Sequence, residues 1–131
     1  MKSILIVDDS PLVRRTLRAL LEQQSEWIVY GEAGNGRDGI DKAQQLHPDV
    51  IVLDLVMPVL NGIEASRVLK RLMPAIPLLM FTTFTDPYLK KEALAAGVNA
   101  VIAKSEGAIT LISSIQALFM PDVPPRSESA A

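Results

Sequence analysis

The sequence predicts an α/β protein: a doubly wound sheet of five parallel strands, in the order 2-1-3-4-5, with helices on both faces. Five short apolar runs alternate with five segments whose apolar residues recur at helical spacing. Such alternation favours a parallel sheet with right-handed crossovers. The apolar runs are continuous rather than alternating, which is typical of strands that helices cover on both faces. We expect one domain over residues 1–120.

The five predicted strands are short, and most of them end in polar residues. They cover residues 4–7, 27–33, 50–54, 78–81 and 100–103. The polar residues at or just after their ends are Asp8 with Asp9, Asp54, Thr82 with Thr83, and Lys104. In a doubly wound sheet these ends meet at one carboxyl edge, where open α/β folds place their ligands. The sequence therefore predicts a single polar pocket.

The helices are predicted from their start signals. Ser10 can cap free amides, and Pro11 suits the first position of a helix. The second, third and fourth helices follow Gly34-Asn35-Gly36, Asn61-Gly62 and Asp86-Pro87, and the last covers residues 108–119.

Apolar residues at helical spacing predict which face of each helix is buried. For the first helix these are Leu12, Val13, Thr16, Leu17, Leu20 and Leu21. For the third and last helices they are Ile63, Val68, Leu69 and Leu72, and Ile109, Ile112, Ile115, Leu118 and Phe119. We interpret Arg14, Arg15 and Arg18 as a solvated face of the first helix.

The composition excludes several classes of protein. Cysteine is absent and His47 is the only histidine, so neither a disulfide nor a zinc cluster is expected. A net charge of -2 argues against a large nucleic-acid footprint. The chain has no apolar stretch of the roughly 20 residues that a membrane helix needs, and no signal-peptide pattern, so we expect a cytoplasmic protein without membrane contact. Residues 121–131 are expected to be a flexible tail or the stub of a linker.

Three carboxylates are expected to meet at the carboxyl edge of the sheet. Asp8 and Asp9 follow the first strand, and Asp54 ends the third. Two unit charges about 4 Å apart repel by roughly 4 kcal/mol at an effective dielectric near 20, so the three acids require a cation. Carboxylate oxygens are hard ligands, and a site in which the ion also keeps some of its water is typical of Mg²⁺.

These motifs resemble the receiver domain of bacterial two-component response regulators. The resemblance rests on Asp8-Asp9, on Asp54 followed by Met57-Pro58 and Asn61-Gly62, and on Thr82 and Lys104. It covers about residues 1–120, and it implies the flavodoxin-like strand order given above. Asp54 would then be the phosphoacceptor, which takes a phosphoryl group from the phosphohistidine of a sensor histidine kinase. The chain would catalyse only its own phosphorylation and dephosphorylation, and would not otherwise be an enzyme.

The resemblance also implies roles for the other site residues. Asp9, Asp54 and the backbone carbonyl of Val56 would hold Mg²⁺, for which Mn²⁺ can substitute, and Asp8 would act largely through water. Lys104 would pair with one phosphoryl oxygen. Thr82 would donate its hydroxyl to another, and this movement would repack the face formed by the fourth helix, the fifth strand and the fifth helix.

Five residues depart from the usual pattern of the family. Val101 stands where an aromatic switch residue is common, and Ser105 replaces the proline that usually follows the lysine in a cis bond. A non-proline cis bond costs about 2.5 to 4 kcal/mol, which favours a trans Lys104-Ser105 bond. Thr83 replaces a smaller residue, and Val56 and Phe84 replace residues that are often polar. Apolar bulk beside the phosphoryl group should hinder water, so we predict slow autodephosphorylation.

Three other functions fit the sequence less well than a receiver does. A flavodoxin-like cofactor binder would need hydroxyls and amides in the first loop, which here is acidic. A haloacid-dehalogenase-like phosphatase would need two aspartates two residues apart after one strand, unlike Asp8-Asp9. A degenerate receiver would lack part of the acidic set, Thr82 or Lys104.

The output of the switch is predicted less directly. Residues 31–36, Lys104-Ser105 and the apolar residues of the last helix resemble receivers of helix-turn-helix transcription regulators. DNA would then be reached only through an output domain that these residues do not include. The alternative is a single-domain regulator or phosphorelay intermediate that acts through a partner protein. The apolar last helix also suggests homodimerisation on phosphorylation.

Overall fold

The five apolar runs form five parallel strands in the computed structural model, which describes residues 1–120. The strand order is β2-β1-β3-β4-β5, which confirms the predicted topology. The predicted tail, residues 121–131, lies outside the described residues. The strands are β1 Lys2–Val7, β2 Trp27–Ala33, β3 Val50–Leu53, β4 Leu78–Thr82 and β5 Ala100–Ala103.

Five α-helices connect and follow the strands. The predicted cap at Ser10 is present, because its Oγ accepts a hydrogen bond from Val13 N at 3.2 Å. Asn35, Asn61 and Asp86, which lie in the predicted start signals, cap the next three helices. None of the described helices is long and apolar enough to cross a membrane. The helices are α1 Pro11–Leu21, α2 Gly36–Leu46, α3 Gly62–Leu72, α4 Pro87–Ala95 and α5 Gly107–Phe119, with a short 3-10 helix at Lys104–Glu106.

The sheet is buried on both faces, because alternate residues of each strand face different helices. Leu5 and Val7 pack in one cluster with Ile40 and Ala43 of α2 and Leu69 of α3. The neighbouring residues Ile4 and Ile6 pack in the other cluster with Leu17 of α1 and Leu111 and Ile115 of α5. This arrangement explains why the strands are apolar throughout, and it leaves only the strand ends for polar chemistry.

The predicted inward faces of three helices are partly wrong. Leu12, Leu72 and Ile109 are 67%, 49% and 80% exposed, and Thr16 is exposed as well. The apolar residues among them lie in the first or last turn of a helix. In α5 the residue that is buried instead is Leu111. Helical spacing alone does not show which turns of a helix are covered.

Candidate functional site

The register of the sheet places the ends of β1 and β3 side by side. Val7 and Leu53, the last residues of these strands, are partners, so Asp8 and Asp54 leave the sheet next to each other. Asp54 N donates to Val7 O at 2.9 Å, and Asp8 N donates to Ala33 O at 2.9 Å. The backbone of both acids is therefore fixed by continuation of the strand ladder.

Lys104 connects the two acids. Thr82 and Ala103 are register partners at the ends of β4 and β5, so Lys104 enters the same edge of the sheet. Its Nζ donates to Asp8 Oδ2 at 2.9 Å and to Asp54 Oδ2 at 3.1 Å. Asp8 and Asp54 are 3% and 8% exposed. One ammonium group thus bridges two buried carboxylates.

The remaining oxygens of the acids are held by backbone amides or face solvent. Asp8 Oδ1 accepts from Ser10 N at 2.9 Å, and Asp54 Oδ1 accepts from Leu55 N at 2.7 Å. Asp9 is exposed, yet one carboxylate oxygen each of Asp8, Asp9 and Asp54 lie within 4.8 Å of one another. Three carboxylates against one ammonium leave two negative charges, and this all-oxygen donor set fits a hard divalent cation such as Mg²⁺.

The electrostatics of the site are set by burial and by these pairings. Burial raises the pKa of Asp8, and the charge of Asp54 adds to this effect, although hydrogen bonds from the Ser10 amide and Lys104 oppose it. For Lys104, burial acts to lower the pKa, but the hydrogen bonds and charges of Asp8 and Asp54 outweigh burial and raise it. Lys104 is therefore a permanent cation at neutral pH.

Thr82 lies at the same edge of the sheet. Its side chain is fully buried, and its Oγ1 accepts a hydrogen bond from Phe84 N at 3.2 Å. Thr83 is exposed, and Phe84 and Val56, in the loops after β4 and β3, are 47% and 50% exposed. Two exposed apolar side chains therefore stand in the loops that follow Asp54 and Thr82.

Two of the five departures lie in β5 or directly after it. Val101 is half-buried, pairs with Met80, and packs on the face of the sheet that α2 and α3 cover. No peptide bond within residues 1–120 is cis, so the Lys104-Ser105 bond is trans, as Ser105 predicts. The position that usually carries an aromatic side chain therefore holds a small aliphatic one.

The loop after β3 packs tightly against the backbone of Asp54. Asn61 caps α3: its Oδ1 accepts from Glu64 N at 2.9 Å, and Glu64 Oε1 accepts from Asn61 N at 3.1 Å. Gly62 N donates to Leu55 O at 2.8 Å. A Cβ atom on Gly62 would lie 2.1 Å from the Asp54 carbonyl oxygen, so only glycine fits here.

Sequence reasoning missed the polar cluster behind the aspartates. Arg14 Nε donates to Glu32 Oε1 at 3.1 Å and Arg18 Nε donates to Glu32 Oε2 at 2.7 Å, so the predicted solvated face is wrong for both arginines. Arg15 alone is exposed and makes no side-chain hydrogen bond within the described chain. The available signal was the spacing of Arg14 and Arg18, four residues apart on one helix, with a lone glutamate in the adjacent strand.

Comparison with known proteins agrees with this geometry. Residues 4–116 match the family model described as the response regulator receiver domain. The chain belongs to the response regulator receiver family. Proteins of this family are phosphorylated on an aspartate by a kinase. The membership leaves no support for the cofactor binder or the phosphatase considered from the sequence.

Relatives of this receiver differ in the rest of their chains. It is 36% identical over 115 residues to the transcriptional regulatory protein LnrK of Bacillus subtilis (strain 168), a match that covers 88% of this chain and 52% of LnrK. It is 39% identical over 104 residues to a protein-glutamate methylesterase/protein-glutamine glutaminase of Methanosarcina acetivorans, covering 78% of this chain and 30% of that protein. The chain spans about half of the first relative and about a third of the second.

A solved structure shows the same fold. The two-component response regulator of the LuxR family from Aurantimonas sp. SI85-9A1 superposes with a TM-score of 0.85 at 31% identity. The alignment covers 88% of this chain and 83% of that chain.

Proposed function

We propose that this receiver is a switch in which Asp54 accepts a phosphoryl group from the phosphohistidine of a sensor histidine kinase. The observation that carries the proposal is the Lys104 bridge to Asp8 and Asp54, at 2.9 and 3.1 Å. The bridge holds the buried carboxylate of Asp54 at the carboxyl edge of the sheet, beside the ammonium group of Lys104. An oxygen of Asp54 is the nucleophile, and Lys104 is placed to pair with the oxygens of the incoming phosphoryl group.

The transfer is an in-line displacement at phosphorus. An Asp54 oxygen forms the new P–O bond while the P–N bond of the phosphohistidine breaks, and its electron pair returns to the imidazole nitrogen. Lys104 then pairs with a phosphoryl oxygen in place of the carboxylate oxygen that it contacts in the unmodified chain. The product is an acyl phosphate at Asp54.

Asp9, Asp54 and the backbone carbonyl of Val56 would hold Mg²⁺, with Asp8 acting through water. The exposed position of Asp9 and the 4.8 Å spread of the three carboxylates support this assignment. When bound, the ion neutralises charge that develops on the phosphoryl oxygens. Mn²⁺ has the same charge and a similar preference for oxygen, so it is a suitable spectroscopic substitute.

The switch step belongs to Thr82. Its hydroxyl accepts from Phe84 N, which leaves the O–H free to donate to a phosphoryl oxygen. Movement of this buried side chain would couple the new charge to the face formed by α4, β5 and α5. Shifting a population from about 1:99 to 99:1 needs roughly 5.5 kcal/mol of differential stabilisation.

The phosphoacceptor is tested with a small acyl phosphate donor and Mg²⁺. Intact-mass spectrometry should detect one added phosphoryl group, which hydroxylamine removes and which is absent in Asp54→Asn. Asp41→Asn is the matched control, because Asp41 is exposed on α2 and makes no side-chain hydrogen bond within residues 1–120. Retention of the adduct in Asp54→Asn would contradict the proposal.

We infer that the output is control of transcription, through a DNA-binding domain outside these residues. The name and the 36% identity of LnrK support this inference. The alternative is a single-domain regulator or phosphorelay intermediate, and the methylesterase relative indicates that similar sequences also occur in proteins named as enzymes. We also propose that the exchange takes place in the cytoplasm, which is consistent with membership of the receiver family. The reading frame that encodes the chain distinguishes these outputs.

Homodimerisation on phosphorylation would use the exposed apolar residues at the starts of two helices. Ile109 of α5 is 80% exposed and Leu12 of α1 is 67% exposed. Light scattering with and without the phosphoryl mimic beryllofluoride should detect a dimer only with the mimic. Ile109→Glu should abolish the dimer without reducing phosphorylation, and a monomer under both conditions would refute the idea.

A further inference from the structure

Asp8 is held by three hydrogen bonds, and one of them fixes the peptide that joins it to Asp9. Asp8 N donates to Ala33 O at 2.9 Å, and Asp8 Oδ1 accepts from Ser10 N at 2.9 Å. The third contact comes from α1, where Arg14 Nη1 donates to the Asp8 carbonyl oxygen at 2.6 Å. The carbonyl of Asp8 and the amide of Asp9 lie in one rigid plane, so this contact also fixes the direction in which Asp9 starts.

Asp9 depends on this backbone for its orientation. It is exposed, and within the described chain its carboxylate makes no hydrogen bond. Asp8 and Asp54, by contrast, are each held by a backbone amide and by Lys104. The direction of the Asp8-Asp9 peptide is thus the main restraint on the acid that is expected to contact the cation directly.

Arg14 is itself held in place by Glu32. Glu32 Oε1 accepts from Arg14 Nε at 3.1 Å, while Arg18 Nε occupies Oε2 at 2.7 Å. Burial acts to raise the pKa of Glu32, but Arg18 and Arg14 outweigh burial and lower it, so the carboxylate stays ionised. The guanidinium uses separate nitrogens for Glu32 and for Asp8. A lysine carries all its donors on one nitrogen, so it lacks the two separate nitrogens with which Arg14 reaches Glu32 and Asp8.

We propose that Arg14 is a positioning residue for the metal-binding aspartates, which holds the Asp8-Asp9 peptide in the orientation that presents Asp9 to a divalent cation. The inference rests on the proposed function, because it concerns the same acidic site. In this role Arg14 neither binds the cation nor contacts the phosphoryl group, and it acts only through the backbone of Asp8. Glu32 serves the same role one step further away, by fixing the guanidinium.

Charge and position predict opposite effects for Arg14. The side chain is positive and touches the backbone of an acid in a cation site, so loss of its charge alone should strengthen metal binding. Loss of the positional restraint should weaken it. Outer residues that orient metal ligands typically change metal affinity by 10- to 100-fold. The sign of the change therefore separates the two explanations.

The test measures Mn²⁺ binding to the full chain by electron paramagnetic resonance, with Mg²⁺ competition. Arg14→Met should raise the Kd about tenfold, at the lower end of that range. Arg14→Lys keeps the charge but loses the two-point contact, so it should fail to restore binding. Arg15→Met is the matched control: it removes the same charge from the neighbouring, exposed position. It should leave the Kd unchanged or slightly lower.

A second measurement reports position without metal. Amide hydrogen exchange at Asp9 and Ser10 should be faster in metal-free Arg14→Met than in the parent chain, while exchange in β3 and β4 is unchanged. Urea unfolding shows whether each variant is folded. If Arg14→Met does not fold, Arg14→Lys and Glu32→Gln provide the same two measurements, with Glu32→Gln expected to have the smaller effect.

The outcomes separate this inference from the proposed function. If the parent chain binds Mn²⁺ and is phosphorylated on Asp54 while the Arg14 variants bind Mn²⁺ equally well or more tightly, the positioning role is refuted and the switch is not. Unchanged amide exchange in these variants also refutes it. If the parent chain itself binds no Mn²⁺, both proposals fail.

Discussion

Lys104 Nζ lies 2.9 Å from Asp8 Oδ2, although Lys104 follows β5 and Asp8 follows β1. Two strands, β3 and β4, lie between them in the sheet. The lysine side chain therefore spans the carboxyl edge and reaches Asp54 on the way, at 3.1 Å. This single cation balances acids from two strands, so its removal and the removal of one acid should have opposite effects on stability.

Replacement of Lys104 by Met should destabilise the metal-free chain. Two buried carboxylates would lose their shared cation, and breaking a buried pair by removing one partner costs several kcal/mol. Because Lys104 is itself partly exposed, we expect a loss of about 2 to 3 kcal/mol in urea unfolding with EDTA. Mg²⁺ should restore more stability to this variant than to the parent chain.

The control for Lys104→Met is Lys91→Met, which removes the same charge from the exposed face of α4. The control should change the free energy of unfolding by less than about 0.5 kcal/mol. Equal effects of the two substitutions would mean that the bridge contributes nothing to stability.

Replacement of Asp8 by Asn should stabilise the metal-free chain at neutral pH by about 1 kcal/mol. Burial, with the charge of Asp54, places the folded-state pKa of Asp8 above its unfolded value of 3.8. At pH values between these two pKa values, the folded chain binds a proton on Asp8 that the unfolded chain does not. Above the folded-state pKa the carboxylate is ionised in both states, and its buried charge destabilises the folded chain. The advantage of Asp8→Asn should shrink as the pH falls through the folded pKa and vanish below the unfolded one.

The pH dependence of this effect is measured by urea unfolding of both chains in EDTA, between about pH 7 and pH 3. Mg²⁺ should reverse the order of stability at neutral pH, because the parent chain binds the cation more tightly. An advantage of Asp8→Asn that is constant over the whole range would exclude titration of Asp8 as its cause.

Most of the fold and the main site residues could be predicted from the sequence. Continuous apolar runs, such as residues 50–53, predict strands covered on both faces, and the start signals at Ser10, Asn61-Gly62 and Asp86-Pro87 predict helices from local chemistry. Both signals are local, and the structure confirms them. The convergence of Asp8, Asp54 and Lys104 followed from topology, since parallel strands end at one edge.

The sequence could not predict where side chains find partners across elements. Ile109 and Leu12 have helical spacing, yet they lie in the first turns of their helices and are exposed. Arginine is usually a solvated residue, so the sequence predicts a solvated Arg14. Only the positions of Glu32 and of the Asp8 carbonyl in the folded chain show that Arg14 bonds to both. Periodicity describes one element at a time, whereas these contacts depend on how two elements are placed.

Replacement of Gly62 by Ala should disrupt the site through the backbone. The added Cβ would lie 2.1 Å from the Asp54 carbonyl oxygen and 3.0 Å from Leu55 Cα, and neither atom can move without shifting Asp54. We expect a loss of about 3 kcal/mol or more in urea unfolding, together with loss of phosphorylation by a small donor. Gly34→Ala is the control, because its Cβ would meet only an ordinary contact, 3.6 Å from Arg14 Nη1. If both variants unfold alike, close approach to Asp54 is not the constraint.

Autodephosphorylation of Asp54 should be slow, with a half-life of minutes or longer in Mg²⁺. Val56 and Phe84 are 50% and 47% exposed, and they follow Asp54 and Thr82 by two residues. Neither side chain can hydrogen-bond a water molecule and orient it for in-line attack on the acyl phosphate. Val56→Asn supplies such a group and should speed loss of the phosphoryl group several-fold, as measured by intact-mass spectrometry. Val59→Asn, the same change in the same loop, should not; a half-life of seconds in the parent chain would contradict the prediction.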